Sequence, residues 1–282
     1  MLFLRLISYL PFSVLYRISD FLFFVSYRLI KYRRAIVWSN LRNSFPEKSA
    51  FELKKIERVF YSCLCDYGVE TLKLLTISKA ELTKRMHWQN PEILQPYLER
   101  RQSVILLASH QFNWEWLLVS GSINLPMPLD FVYQKQSSSL FDNFADATRT
   151  RFGAFGIERQ QTAKEAVKRR TITRAIANVA DQFPTFEKRY WTKFLSQETA
   201  FFQGISQLPA LTQYPVFFAP IKKIQRGGYQ AQLIPLTAPP YAKGDNQVIE
   251  DYVQHVERLI REQPENWLWS HARWKQKRQS IE

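Results

Sequence analysis

His110 and Glu115 stand five positions apart in the run Ser109-His110-Gln111-Phe112-Asn113-Trp114-Glu115-Trp116, directly after the apolar stretch 103–108. An imidazole can accept a proton near neutral pH and a carboxylate can hold its tautomer, so the two read as a general base with its orienting partner. The spacing alone is unspecific, and its surroundings give it weight. Residues 104–108 are branched, apolar and too few for a buried helix, which predicts a buried strand of a parallel sheet, with 113–123 as the crossover helix. In open α/β sheets chemistry gathers where such strands end. The other reading of His110 is a histidine that caps the strand and bonds into the core.

Two more groups sit at element ends. Thr148-Arg149-Thr150-Arg151 closes a predicted helix before Gly153, and Val179-Ala180-Asp181-Gln182 closes a predicted strand. Two arginines ending a helix can simply be solvated or compensate its dipole. Asp181 is different: if its strand runs parallel to that of His110, the carboxylate lies on the same sheet edge, placed to meet an arginine from the neighbouring loop. Among the other histidines, His271 reads as a structural residue packing a C-terminal strand, His255 as a surface residue of a helix over 247–261, and His87 has no evident partner.

The elements that must position these groups follow from periodicity and punctuation. Ser49-x-x-Glu52 is a capping box, and Leu53, Ile56, Phe60, Cys63, Leu64 and Tyr67 follow at helical spacing, predicting a long amphipathic helix to about residue 75 with Glu70 near its apolar stripe. Ser78-x-x-Glu81 and Asn90-Pro91 open two shorter helices. Strands over 104–108, 129–133 and 176–180 then alternate with helices over 138–152 and 162–170. A loop-rich stretch reaches Gly204, a helix starts near Ile205, and Gly227-Gly228 turns a strand over 216–221 into another over 229–235. Alternating strands and helices imply an α/β fold whose mainly parallel central sheet is flanked by helices.

The chain of 282 residues can bury one large core, and no linker divides it. Cys63 and Cys65 are too close for a useful staple and lack zinc-site neighbours, which fits a reducing, cytoplasmic setting. A net charge of +14 calls for an anionic partner. Aromatic residues at 15%, with eight Trp and no Gly-rich or repeat motif, favour a lipid interface over nucleic acid. Residues 1–34 are rich in Leu, Phe, Tyr and Ile, yet Arg5, Arg17, Asp20 and Arg28 interrupt them, and no small-residue cleavage site follows. The segment therefore reads as membrane-attachment helices lying in the bilayer surface and broken near Pro11, ahead of a catalytic domain over 35–282; a tilted spanning helix and an ordinary buried helix are the alternatives, the latter leaving three arginines to be paired in the core.

Taken in order, Asn40-Leu41-Arg42-Asn43-Ser44-Phe45-Pro46, the His110/Glu115 pair, Arg149 with Arg151, Asp181-Gln182 and Pro264-Glu265-Asn266-Trp267-Leu268-Trp269-Ser270-His271-Ala272-Arg273-Trp274-Lys275 resemble the late acyltransferases of lipid A biosynthesis across nearly the whole chain. The last run is similar to that family's P-x-x-W-x-W-x-H-x-R-x-K ending. Phe194-Leu195-Ser196 departs from it where an aromatic-apolar-Gly turn is usual, and Phe201-Phe202-Gln203-Gly204 where a Pro/Thr-Gly loop is common. The resemblance implies a glycerolipid-acyltransferase-like fold and O-acyl transfer from an acyl carrier protein or coenzyme A thioester to an anionic lipid A precursor, at the cytoplasmic face of the inner membrane. It implies no metal and no bound cofactor. His110 would take the acceptor's proton with Glu115 behind it, and Arg149, with Arg151, would bind a phosphate or the oxyanion while Asp181 fixes the guanidinium, with Gln182 beside it. An acyltransferase making an amino-acid lipid or phospholipid, or a non-catalytic membrane-binding protein on the same fold, are the alternatives; His110, Glu115, Arg149 and Asp181 standing together argue against the last.

Overall fold

The computed structural model describes residues 1–184 and 188–275. Five helices come first: α1 (Leu2–Ser8), α2 (Phe12–Phe23, continued by a π-helical segment Phe24–Ile30), α3 (Arg34–Ser44), α4 (Ala50–Lys73) and α5 (Lys79–Arg85). Strand β1 (Met86–Trp88) and helix α6 (Gln95–Glu99) lead into β2 (Val104–Ala108), α7 (Trp114–Asn124), β3 (Leu129–Tyr133), α8 (Ser139–Arg149), β4 (Phe155–Glu158), α9 (Thr162–Lys168) and β5 (Ala175–Val179). A hairpin of β6 (Arg189–Phe194) and β7 (Gln197–Phe202) follows, then α10 (Gly204–Thr212), β8 (Val216–Phe218), β9 (Ile221–Gln225), β10 (Gly228–Ala231), β11 (Ile234–Thr237) and α11 (Gln247–Glu262).

The central sheet has the order β11-β8-β2-β5-β3-β4, and every pair in it is parallel except the β11 edge. The chain leaves β2 toward β3 on one side and leaves β5 toward β8 on the other. Adjacent strands whose connections part in this way open a crevice at their carboxyl ends. Alternation along the strands divides the core: Ile105 and Leu107 pack with α3, α4, α10 and α11, while Val104, Leu106 and Ala108 pack under α7.

Three features depart from the sequence reading. The stretch 216–221 breaks at Pro220, which has no N–H to give a ladder; β8 stays in the central sheet, while β9 and β10 form a hairpin in a second sheet with β1. β4 adds a sixth strand at the edge of the main sheet. The supposed loops before Gly204 contain the β6/β7 hairpin, whose turn residues Leu195 and Ser196 have φ of 48° and 64°. Hairpin turns of this shape are signalled by Asn or Gly, so a Leu-Ser turn carries no such signal.

The amino-terminal helices break at Pro11, as their sequence predicts, and pack along α4, whose capping box is present with Ser49 and Glu52 bonded reciprocally. Ser19 Oγ donates to the buried Asp66 at 2.7 Å, and Arg226 reaches both Asp66 and Asp20. Lys73 Nζ ties down the carbonyls of Ser8 and Leu10. Glu70, fully buried on α4, accepts from Tyr16 Oη, Asn113 Nδ2 and Tyr229 Oη at 3.0, 3.1 and 2.6 Å, and its backbone carbonyl accepts from the Trp116 indole. Burial outweighs those hydrogen bonds and pushes the Glu70 carboxyl above the usual range. One side chain thus joins α2, α4, β10 and the start of α7. Glu70→Ala is predicted to strand three polar groups in the core and cost about 3 kcal/mol in denaturant unfolding, with Glu70→Gln costing less because an acceptor remains. An alanine variant as stable as wild type would refute this role.

Candidate active site

The register of the central sheet decides the partner of His110. β2 and β5 pair in parallel from Val104 beside Ala175 to Ala108 beside Val179. Two residues beyond each strand, the same offset sets His110 beside Asp181. The Asp181 carboxylate accepts from the His110 backbone N–H at 2.9 Å and meets imidazole Nδ1 at 2.5 Å. Its third partner is the Trp267 indole at 2.6 Å. Burial acts to raise the pKa of Asp181, but the charge and hydrogen bonds of His110, with the Trp267 bond, hold it below the usual carboxylate range. The imidazole has its Nδ1 engaged, which leaves Nε2 as the nitrogen for a ligand.

Glu115 does not take the place expected for it. Trp114 stands between the two, edge-on to the His110 ring with centroids 4.9 Å apart, and its indole donates to Glu115 Oε1 at 3.1 Å. Glu115, buried in the first turn of α7, instead receives Arg149 in a two-pronged pair, Nε to Oε2 at 2.8 Å and Nη2 to Oε1 at 2.5 Å. Burial would raise its pKa, but the guanidinium's charge and bonds outweigh it and hold the carboxyl low. Arg149 is correspondingly raised: burial disfavours its charge, and Glu115 more than compensates. The guanidinium is therefore fixed by Glu115 and not by Asp181.

His110, Glu115, Arg149 and Gln182 line one cavity of about 350 Å³ that runs inward between α7 and the sheet to Trp88, Leu106, Gly121, Leu125 and Leu129. Its far end is wholly apolar apart from the Trp88 indole N–H, which is bonded to Ser120 Oγ at 3.0 Å. Arg151 does not join this cavity. Two residues past Arg149 at the end of α8, it faces the other way, donating to the Leu74 carbonyl at 2.6 Å and lying over the Phe152 ring. Among the described residues no cluster of His, Cys, Asp or Glu suited to a metal ion is present.

The carboxyl-terminal run closes the site from the other side. Gln111 bridges Trp267, and the Phe112 N–H donates to the Asn266 carbonyl at 2.8 Å. Asn40 Nδ2 donates to the carbonyls of Trp269 and His271, and Phe45 packs on Trp269. The first and last runs singled out in the sequence thus meet behind His110. His271 lies in a turn and not a strand, and it lines the cavity with His110. Its Nδ1 is buried without a partner, and burial, then the nearby Arg273 and His110, push its pKa down to about 4. His255 is half-buried on α11, its Nδ1 near the Asp251 carbonyl and its ring on Phe218, and His87 is exposed on β1.

With this geometry in place, the comparison with known families is specific: residues 1–276 match the family model of bacterial lipid A biosynthesis acyltransferases. The chain belongs to that family. No curated protein matches the chain. Among the features of this lipid A acyltransferase, sequence reasoning missed the Asp181–His110 bond, Trp267 as its third donor and the place of Trp114. The signal for Trp267 lay in its quoted motif, and that for Asp181 in its equal distance past a strand end.

The neutral state of His271 gives a pH prediction. Its folded pKa, about 4, lies below the ordinary 6.5, so as pH falls through that window the unfolded chain takes up a proton that the folded chain refuses. Stability is lost on acidification, by at most about 3 kcal/mol from this group. Urea unfolding at neutral pH and near pH 4.5 should show a smaller loss for His271→Gln than for wild type. Equal losses would refute the assignment.

Proposed function

We propose that this acyltransferase moves a fatty acyl group from an acyl carrier protein or coenzyme A thioester to a hydroxyl of an anionic lipid A precursor, with His110 as general base. The carrying observation is a His110–Asp181 pair at the mouth of an apolar cavity. A hydroxyl is a poor nucleophile until its proton is removed in the transition state. His110 Nε2 takes that proton as the acceptor oxygen attacks the thioester carbonyl. Asp181 holds the tautomer and stabilises the imidazolium, a division of labour known from Ser-His-Asp enzymes, here without an enzyme serine. The tetrahedral intermediate then collapses; the C–S bond breaks, the thiolate leaves and takes the proton from His110.

Arg149, held rigid by Glu115, sets a fixed positive charge in the cavity for the developing oxyanion or an acceptor phosphate. The apolar inner end suits the acyl chain. The outward face of the first helices supports attachment to the cytoplasmic face of the inner membrane: Phe3, Leu6, Phe21 and Leu29 are all at least 60% exposed, with Arg5, Arg17 and Arg28 exposed beside them. Among the described residues no single helix is long and apolar enough to cross a membrane; α1 with the helix over 12–30 passes by length and composition only as a pair bent by 114°.

Mass spectrometry of products from purified protein, an acyl thioester on either carrier and a lipid A precursor tests the reaction. His110→Ala and Asp181→Asn are each expected to slow transfer by about 10²- to 10⁴-fold, and the double variant by little more than either. Turnover by His110→Ala at the wild-type rate would sink the mechanism, and transfer to an amino-acid lipid or phospholipid alone would replace the acceptor. Fractionation of cell membranes should leave the protein bound in high salt, because apolar contact is not screened. Full release by salt would reduce the attachment to electrostatics.

A further inference from the structure

The inner end of the cavity contains a glycine that the backbone does not require. Gly121 lies inside α7, in ordinary helical conformation, where glycine costs about 1 kcal/mol relative to alanine. A Cβ built there would stand 3.2 Å from Leu129 Cδ2, 3.5 Å from Leu125 Cδ1 and 3.6 Å from Trp88 Cζ2. All four residues line the cavity. Its floor is therefore a ring of three buried side chains facing one missing side chain. Trp88 is held in place: its indole is bonded to Ser120 Oγ, which itself bonds the Leu117 carbonyl, and Leu125 and Leu129 are buried beside it.

We propose that Gly121, facing Trp88, Leu125 and Leu129, sets the longest acyl chain the cavity admits. This rests on the acyl-transfer reading given above and adds its specificity. From Glu115 at the mouth, α7 rises about 9 Å to Gly121 and about 15 Å to Leu125. An extended alkyl chain with bonds of about 1.5 Å and near-tetrahedral angles advances about 1.25 Å per carbon. The depth thus fits a chain on the order of ten carbons, and a side chain at position 121 takes the place of the terminal ones. Packed interiors do not yield freely, so an excess methylene is excluded and not merely tolerated.

The test uses the full chain with coenzyme A thioesters from octanoyl to palmitoyl, and separately the free fatty acids in a calorimetric binding assay. Gly121→Ala should move the optimum to a shorter chain by about one carbon and Gly121→Leu by more, with kcat/KM falling about tenfold or more for each carbon now excluded. Leu125→Ala, which deepens the floor, should shift both transfer and binding toward longer chains. Folded Gly121 variants with the wild-type chain preference would overturn the proposal. Should those variants fail to fold, an unchanged preference in Leu125→Ala would overturn it equally. Wild-type protein that binds fatty acids with a Gly121-dependent length limit but transfers none would keep the ruler and reject the acyl-transfer reading, so the two failures are distinguishable.

Discussion

Asp181 is a fully buried carboxylate, and a buried charge is tolerated only when its lone pairs are met by donors of adequate geometry. Its three donors come from distant parts of the chain: the His110 backbone and ring at the end of β2, and the Trp267 indole from the carboxyl-terminal run. Satisfying that one side chain requires β2 and β5 to be neighbours in fixed register. It also requires the C-terminal run to fold back against Gln111 and Phe112, where Asn40 of α3 pins it from outside.

The site holds two buried carboxylates kept ionised by different means. Asp181 is bound by an imidazole and an indole, Glu115 by a guanidinium whose two parallel hydrogen bonds match its geometry. A third buried carboxyl, Glu70, has only neutral direct donors, and burial prevails there. The contrast sorts the three by chemistry: a charge beside the base, a charge anchoring a cation in the cavity, and a structural hub. Trp114, edge-on to His110 and bonded to Glu115, separates the first two.

The amino-terminal helices face two ways. Their inner side is bonded to α4 through Tyr16, Ser19 and the carbonyls of Ser8 and Leu10. Glu70 then carries that contact to Asn113, which caps α7 three residues after His110. The apolar outer side is thus mechanically continuous with the helix that forms one wall of the cavity.

The sequence by itself determined the elements and the candidate atoms. A branched apolar run of five residues marked β2, a short mostly apolar stretch interrupted by Asn178 marked β5, capping boxes marked the starts of α4 and α5, and residues at element ends marked His110, Glu115, Arg149 and Asp181. These signals are local, because backbone periodicity and capping involve residues within one or two turns. Which carboxylate serves the histidine was decided only in three dimensions. Glu115 is five residues from His110 yet turns into α7 toward Arg149, while Asp181, 71 residues away, is delivered by strand register. Arg151, next but one to Arg149, was lost from the site by the turn that follows α8, and His271 was gained by the fold-back of a distant segment. Parallel strand pairing is non-local, and no pattern along the chain states which strands become neighbours.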